Sequence, residues 1–162
     1  MARQAQVQHG KGALYTVEQR IRRDTSIWTL VQGILAPLQF LVFLISLALV
    51  LRYLVTGEGY VIATWSIVIK TGILYLIMVT GAIWEKVVFG QYLFAPAFFW
   101  EDVFSFGVIA LHTGYLLALW SETFGPEGLM GLALAAYAAY AINAAQFLWK
   151  LRVARLQAGE AA

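Results

Sequence analysis

The sequence predicts an all-α, polytopic membrane protein: four transmembrane helices behind a short N-terminal interfacial helix. Three observations carry that prediction. Of the 162 residues, 61% are hydrophobic and only 12% charged, about half the roughly 25% of a soluble domain. Four long windows carry little or no charge, and each can supply the ~20 helical residues that cross a hydrocarbon core. Inside them the apolar residues run continuously instead of alternating, which excludes a membrane β-barrel.

The elements follow in order. Residues 1–14 read as a flexible polar tail, and their polarity excludes a cleaved signal peptide. "TVEQRIRRD" then places Thr16 three residues before Gln19, the spacing of a capping box. It predicts a short helix lying on the headgroups, with its arginines drawn to the membrane surface. The spans are expected at about 26–52, 60–84, 101–121 and 128–150. Pro37 lies inside the first and predicts a kink there. "TGEG" and "ETFGPEG" read as turns between the first and second and the third and fourth spans. The fourth span is rich in Gly and Ala, and small residues let helices approach closely in lipid. Asn143 and Gln146 near its end read as interhelical glue or as ligands. Residues 15–157 form one domain, with 158–162 as a C-terminal tail.

Charge orients the spans. Four crossings put both termini on one side, together with Arg3, Lys11, Arg20, Arg22, Arg23, Lys86, Lys150, Arg152 and Arg155. The other side holds Arg52, Glu58, Glu122 and Glu127. The positive-inside rule then makes the chain multi-pass with both termini and the 85–102 connection in the cytoplasm. The chain has no cysteine, so disulfides and thiolate chemistry are excluded. No feature points to nucleic acid; the lipid bilayer is the expected partner.

Polar groups within a membrane segment are functional candidates. Here they are Lys70, Glu85, Lys86, Glu101, Asp102 and His112. The connection "VFGQYLFAPAFFW" is too apolar for an exposed loop and is expected to dip into the interface. Flanked by acids, it can wall a pocket for a flat apolar molecule. Helical spacing puts Glu101, Ser105, Val108 and His112 on one face, and turns Asp102 about 100° away. Glu101 is therefore expected to meet Glu85 of the neighbouring helix rather than Asp102. Plainer roles stand beside these: Asp102 as a helix-dipole acid, Glu85–Lys86 as an interfacial border, Lys70 snorkelling or paired, and His112 as an interhelical hydrogen bond. His9 is the only other histidine and lies in the polar tail, which argues against a haem held between two histidines.

Three stretches resemble one family. "SIWTLVQGILAPLQFLVFLISLALVLRYLVTGEG", "MVTGAIWEKVVFGQYLFAPAFFWEDVFSFGVIALHT" and "YAINAAQFLWKLRVARLQ" are similar to the 3-vinyl bacteriochlorophyllide hydratases of phototrophic bacteria, from about Tyr15 to Gln157. The resemblance implies a hydro-lyase that adds water across the C3-vinyl group of a chlorophyllide or bacteriochlorophyllide to give the 1-hydroxyethyl compound. It implies a bacterial cytoplasmic or intracytoplasmic membrane, a tetrapyrrole substrate that carries its own magnesium, and no cofactor of the protein's own. A homo-oligomer and neighbouring enzymes of the pathway are the further partners it admits.

With that substrate the candidates take roles. Hydration begins by protonating the terminal vinyl carbon, and water then attacks the inner carbon. Glu101 is expected as the acid, with Glu85 or Asp102 orienting and deprotonating the water. Phe98, Phe99 and Trp100 are expected to stack on the ring, and Lys86 or an arginine of the 20–23 cluster to meet the propionate. His112 is a candidate ligand to the substrate's magnesium, although it lies about 16 Å from Glu101 along an ideal helix. The other readings are a non-catalytic tetrapyrrole carrier using the same aromatic pocket, which would change no substrate mass, and a membrane-anchor subunit, which would leave the acids unexplained.

Overall fold

The structure, a computed structural model, describes residues 13–160. Five helices follow one another: α1 (Val17–Thr25), α2 (Ile27–Thr56), α3 (Tyr60–Phe89), α4 (Phe99–Trp120) and α5 (Pro126–Glu160). The last four are long and apolar enough to cross a membrane, and the described residues form no strand. Residues 1–12 and 161–162, most of the two expected tails, lie outside the described residues.

The start of α1 is the capping box read from the sequence. The Gln19 N–H donates to Thr16 Oγ1 at 3.2 Å, and the Thr16 N–H donates to Gln19 Oε1 at 2.9 Å. Ser26 ends α1 in extended backbone and caps α2 by accepting from the Trp28 N–H. Val17 and Ile21 point away from the protein and no residue of α1 is buried, as a helix seated on a headgroup layer requires. Thr29 ties this corner to α3: its hydroxyl donates to the Arg23 carbonyl at 2.6 Å and accepts from Trp84 Nε1 at 2.9 Å.

The helices outrun the uncharged windows that announce them. α3 continues through Glu85 and Lys86 to Phe89, where Gly90 adopts φ 87°. α4 begins at Phe99, and α5 runs on to Glu160, through the expected tail. Charge marks where hydrocarbon ends, whereas a helix ends where its backbone is capped, here at a left-handed glycine. Pro37 lies within the unbroken α2.

α2 packs chiefly on α3, and α4 on α5, so the bundle is two helical hairpins side by side. α2 shows why: Gln39, Phe43, Ser46 and Val50 are its buried residues, at steps of four, three and four, and the other faces present leucine, isoleucine and phenylalanine outward. The main core gathers Phe43, Ile67, Val108, Tyr115, Met130 and Tyr137 among others. A second cluster sits at the end of the bundle that carries α1 and residues 90–98, called here the terminal end. It holds Tyr15, Val88 and Phe98, with Trp84, Phe89 and Phe147 against them.

Phe98 is the hub of that second cluster. It is 2% exposed, with ring centroids 5.6 Å from Trp84, 5.9 Å from Phe89 and 6.0 Å from Phe147. Phe98→Ala should cost about 3 kcal/mol by opening a cavity. The check is a lower thermal midpoint for the detergent-solubilised protein, with Phe99→Ala, on the outer face, shifting it little.

Candidate active site

The last turn of α3 and the first turn of α4 bring three carboxyl groups to the terminal end. Glu85, Glu101 and Asp102 are 5%, 7% and 3% exposed. The apolar connection between the helices would strand its backbone N–H groups in a greasy interior. Two of them find the acids instead. The Phe94 N–H donates to Asp102 Oδ2 at 2.7 Å, and the Ala95 N–H donates to Glu85 Oε2 at 3.2 Å. Phe94 reaches this position in left-handed backbone, φ 59°.

Glu85 and Asp102 are thus brought side by side, accepting from the N–H groups of the consecutive residues Ala95 and Phe94. Glu101 stands differently. Lys150 of α5 donates to Glu101 Oε2 at 2.7 Å and to the Ala97 carbonyl. The expected meeting of Glu101 with Glu85 is thus not the one formed. The 100° between adjacent helical residues turns Asp102 toward α3 and the connection, and Glu101 toward α5.

The face shared by Glu101, Ser105, Val108 and His112 is buried along its whole length. Ser105 Oγ donates to the Glu101 carbonyl at 2.8 Å and accepts from Asn143 Nδ2 at 2.8 Å. At the far end of this face His112 is fully buried beside Lys70. Its Nδ1 lies 2.8 Å from the Val108 carbonyl. A carbonyl only accepts, so Nδ1 carries the hydrogen and Nε2 accepts from Lys70 Nζ at 3.0 Å. Lys70 does not snorkel: it is fully buried, and its Nζ sits 3.9 Å from the Tyr140 ring centroid. A metal at His112 Nε2 would have to displace it.

The aromatic residues divide. Phe98 was expected against a substrate ring, but the second core encloses it. Its position closes the turn into α4, where its N–H donates to the Ala95 carbonyl, and that directs its ring inward. Phe99 and Trp100 face outward, Trp100 being 66% exposed. An open groove of about 490 Å³ runs along the α4–α5 seam, lined by Glu101, Ile142, Ala145, Gln146 and Trp149. Glu101 is the acid that borders it; Glu85 and Asp102 stand behind. Lys86 is exposed, donates to the Gly90 carbonyl at 2.8 Å and lies 5.3 Å from the Tyr92 ring centroid. In the 20–23 cluster, Arg23 pairs with Asp24 at 2.6 Å and lies over the Tyr15 ring, whose hydroxyl burial pushes above its ordinary pKa.

Two functional candidates escaped the sequence. Lys150 was counted only among the topology-setting charges, although Asn143, Gln146 and Lys150 repeat at helical spacing. Gln39 drew no notice, yet it is the one polar amide on the buried face of α2.

Comparison with known proteins adds an independent line. The family model described as 2-vinyl bacteriochlorophyllide hydratase matches residues 15–153. A protein of Cereibacter sphaeroides with that name is 79% identical over 144 residues, 88% of this chain and 89% of the relative. A second of the same name, from Rhodobacter capsulatus, is 74% identical over 147 residues, 90% and 85% of the two chains. No solved structure matches.

The Glu101–Lys150 pair can be tested by itself. Lys150→Met leaves a largely buried carboxylate without its cation and should cost about 2 kcal/mol. The double variant Glu101→Gln, Lys150→Met should recover part of that loss. Thermal midpoints of the four proteins give the coupling; additive losses would show that the pair contributes nothing.

Proposed function

The chain belongs to the 2-vinyl bacteriochlorophyllide hydratase family, and from that premise we propose that its three buried carboxyls divide the acid and base work of hydrating a vinyl group. The chain is a hydratase of bacteriochlorophyll biosynthesis, a carbon–oxygen hydro-lyase. It adds water across the vinyl group that is numbered 2 or 3 in the two names of the one activity, giving the 1-hydroxyethyl product.

The observation that carries the division is the unequal company of the acids. Glu85 and Asp102 are buried side by side on consecutive backbone N–H groups, whereas Glu101 faces the Lys150 ammonium. Two buried carboxyls side by side favour keeping a proton on one of them; a carboxylate paired with an ammonium keeps its charge and so has a lone pair open to a proton. The Glu85–Asp102 pair therefore supplies the proton that forms the C–H bond at the terminal vinyl carbon, which requires the vinyl group to reach past Glu101 from the groove. The positive charge left on the inner carbon spreads into the macrocycle. Water attacks that carbon, and Glu101 takes the proton that the water loses as the C–O bond forms. Glu101 then returns the proton to Asp102, its neighbour in the chain. One water is consumed, and the three carboxyls end as they began. Sequence reasoning gave the first proton to Glu101; the ammonium of Lys150 is the reason for exchanging the roles.

The ring lies in the groove against Trp149, with Phe99 and Trp100 exposed on the first turn of α4 and the propionate toward exposed Lys86 or the arginines of α1. Phe98, enclosed in the second core, supports that wall from behind. Hydration changes no net oxidation state, so the reading takes no cofactor of the protein's own; magnesium comes with the substrate. His112 as its ligand would require Lys70 to leave and the ring to enter the main core, so the reading keeps it as a core partner of Lys70. The membrane is the bacterial cytoplasmic membrane or its intracytoplasmic extension, with both termini and the 90–98 connection in the cytoplasm. The support is the excess of Lys and Arg on that side.

Membranes carrying Glu101→Gln, Glu85→Gln or Asp102→Asn, given the vinyl substrate, should form hydroxyethyl product roughly 10²- to 10⁴-fold more slowly than wild type. Wild-type turnover by Glu101→Gln at equal expression removes the base. Wild-type turnover by both of the other variants removes the acid pair. Lys86→Met should raise KM roughly five-fold and leave kcat alone, the loss of one exposed ion pair of about 1 kcal/mol; an unchanged KM moves the propionate contact to α1.

A further inference from the structure

One helical turn inward from Glu101 lies a polar layer that the proposed acid–base work does not use. Gln39 of α2 is 1% exposed, and neither Oε1 nor Nε2 has a hydrogen-bond partner among the described residues. Asn143 of α5 is 7% exposed; Nδ2 donates to Ser105, while Oδ1 has no partner among them.

The register of the helices puts these two amides at one depth. Ser46 and Tyr137 hydroxyls meet at 2.5 Å, and the Phe43 and Tyr140 rings are 4.9 Å apart. One turn from Phe43 toward the terminal end is Gln39. One turn from Tyr140 toward the same end is Asn143. Both side chains lie on buried faces, and the Asn143–Ser105 bond fixes their level against α4, one turn below Glu101. A further turn along α5 is Gln146, which lines the groove beside Glu101 and has an unpartnered buried Oε1.

Buried amides left unpaired cost about 1–3 kcal/mol each, and folded proteins seldom retain them without a partner. The chemistry of the orphans selects what completes them. Two carbonyl oxygens repel an anion. The Gln39 NH₂ repels a cation, and none of these side chains supplies a counter-charge. A small neutral molecule with two donors and an acceptor fits. Water donates to Gln39 Oε1 and Asn143 Oδ1 and accepts from Gln39 Nε2, about the three bonds usual for a buried water.

We infer that Gln39 and Asn143 form a water-holding site that feeds the hydration, with Gln146 as the step from this site to Glu101 and the groove. The inference rests on Glu101 as the base that receives the water. Gln39 and Asn143 are positioning residues: they hold the nucleophile ready without touching the ring, so their loss should act on kcat and not on KM.

The test uses the full chain in membranes. Gln39→Leu and Asn143→Leu should each lower kcat by up to about 10²-fold, the scale of a misplaced reactant, with KM unchanged. Asn143→Ala is also assayed in aqueous methanol. The shortened side chain leaves room for the larger nucleophile, whose O–H adds as that of water does. The methyl ether of the product, identified by mass, should rise relative to the alcohol above the wild-type ratio. Wild-type kcat in both leucine variants, with an unchanged or higher thermal midpoint, would overturn the site, because the amides would then only burden the fold. Should the leucine variants fail to accumulate, an ether ratio in Asn143→Ala equal to that of wild type overturns it alone. Failure of the base is distinguishable: full turnover by Glu101→Gln together with lost kcat in the leucine variants removes Glu101 and leaves the water site standing.

Discussion

The hold of Glu85 and Asp102 on the backbone between α3 and α4 is the constraint on which the terminal end of this protein depends. One acid closes α3 and the other opens α4, and each accepts a backbone N–H from the connection between them. That connection is apolar and packs without helix or strand of its own, so its amides can be satisfied only by acceptors brought to them. Remove the acids and the turn loses its partners. Keep them, and two carboxyls stand side by side at the end of the bundle that holds the Phe98, Trp84 and Phe89 rings. The backbone's demand for acceptors thus gathers two of the acids to which the proposed hydration gives work.

The other polar ties follow the same economy. Glu101–Lys150 joins α4 to α5, Lys70–His112 joins α3 to α4, and Gln32–Thr80 and Ser46–Ser66 join α2 to α3. Lipid tails solvate leucine as well as a neighbouring helix does, so apolar contact discriminates poorly among possible helix pairs. A buried hydrogen bond does discriminate, because the wrong pairing leaves both ends unpaired. The amide layer of Gln39 and Asn143 is not completed by the helices themselves, and it lies about a turn from Glu101, the proposed base.

Much of this was legible in the sequence. The capping box of α1, the four apolar helices and the common buried face of Glu101, Ser105, Val108 and His112 all follow from local periodicity, and all are present. The choice of partner was not legible. Glu101 was matched with Glu85 because both end neighbouring helices, but Lys150, 49 residues away, is its actual neighbour. Phe98 was placed on a substrate ring because it stands in an aromatic run, but the turn into α4 directs it inward. The causes differ: which helix packs against the Glu101 face is a long-range matter that a sequence run does not carry, and the way a short turn points the Phe98 ring is not fixed by residue type.

By itself, the sequence determined that the chain lives in lipid, how many helices cross it, which side chains share a helical face, and that acids crowd one end. These are one-dimensional properties. Hydrophobic length and the 100° step between residues act within a single helix and need no knowledge of its neighbours. Only the tertiary structure decided the company each acid keeps. Glu85, Glu101 and Asp102 are alike as residue types; what separates them is that one helix presents an ammonium and another a carboxyl. Charge and proton affinity are set by what lies within a few ångströms in space, and the packing of helices far apart in the chain decides what that is.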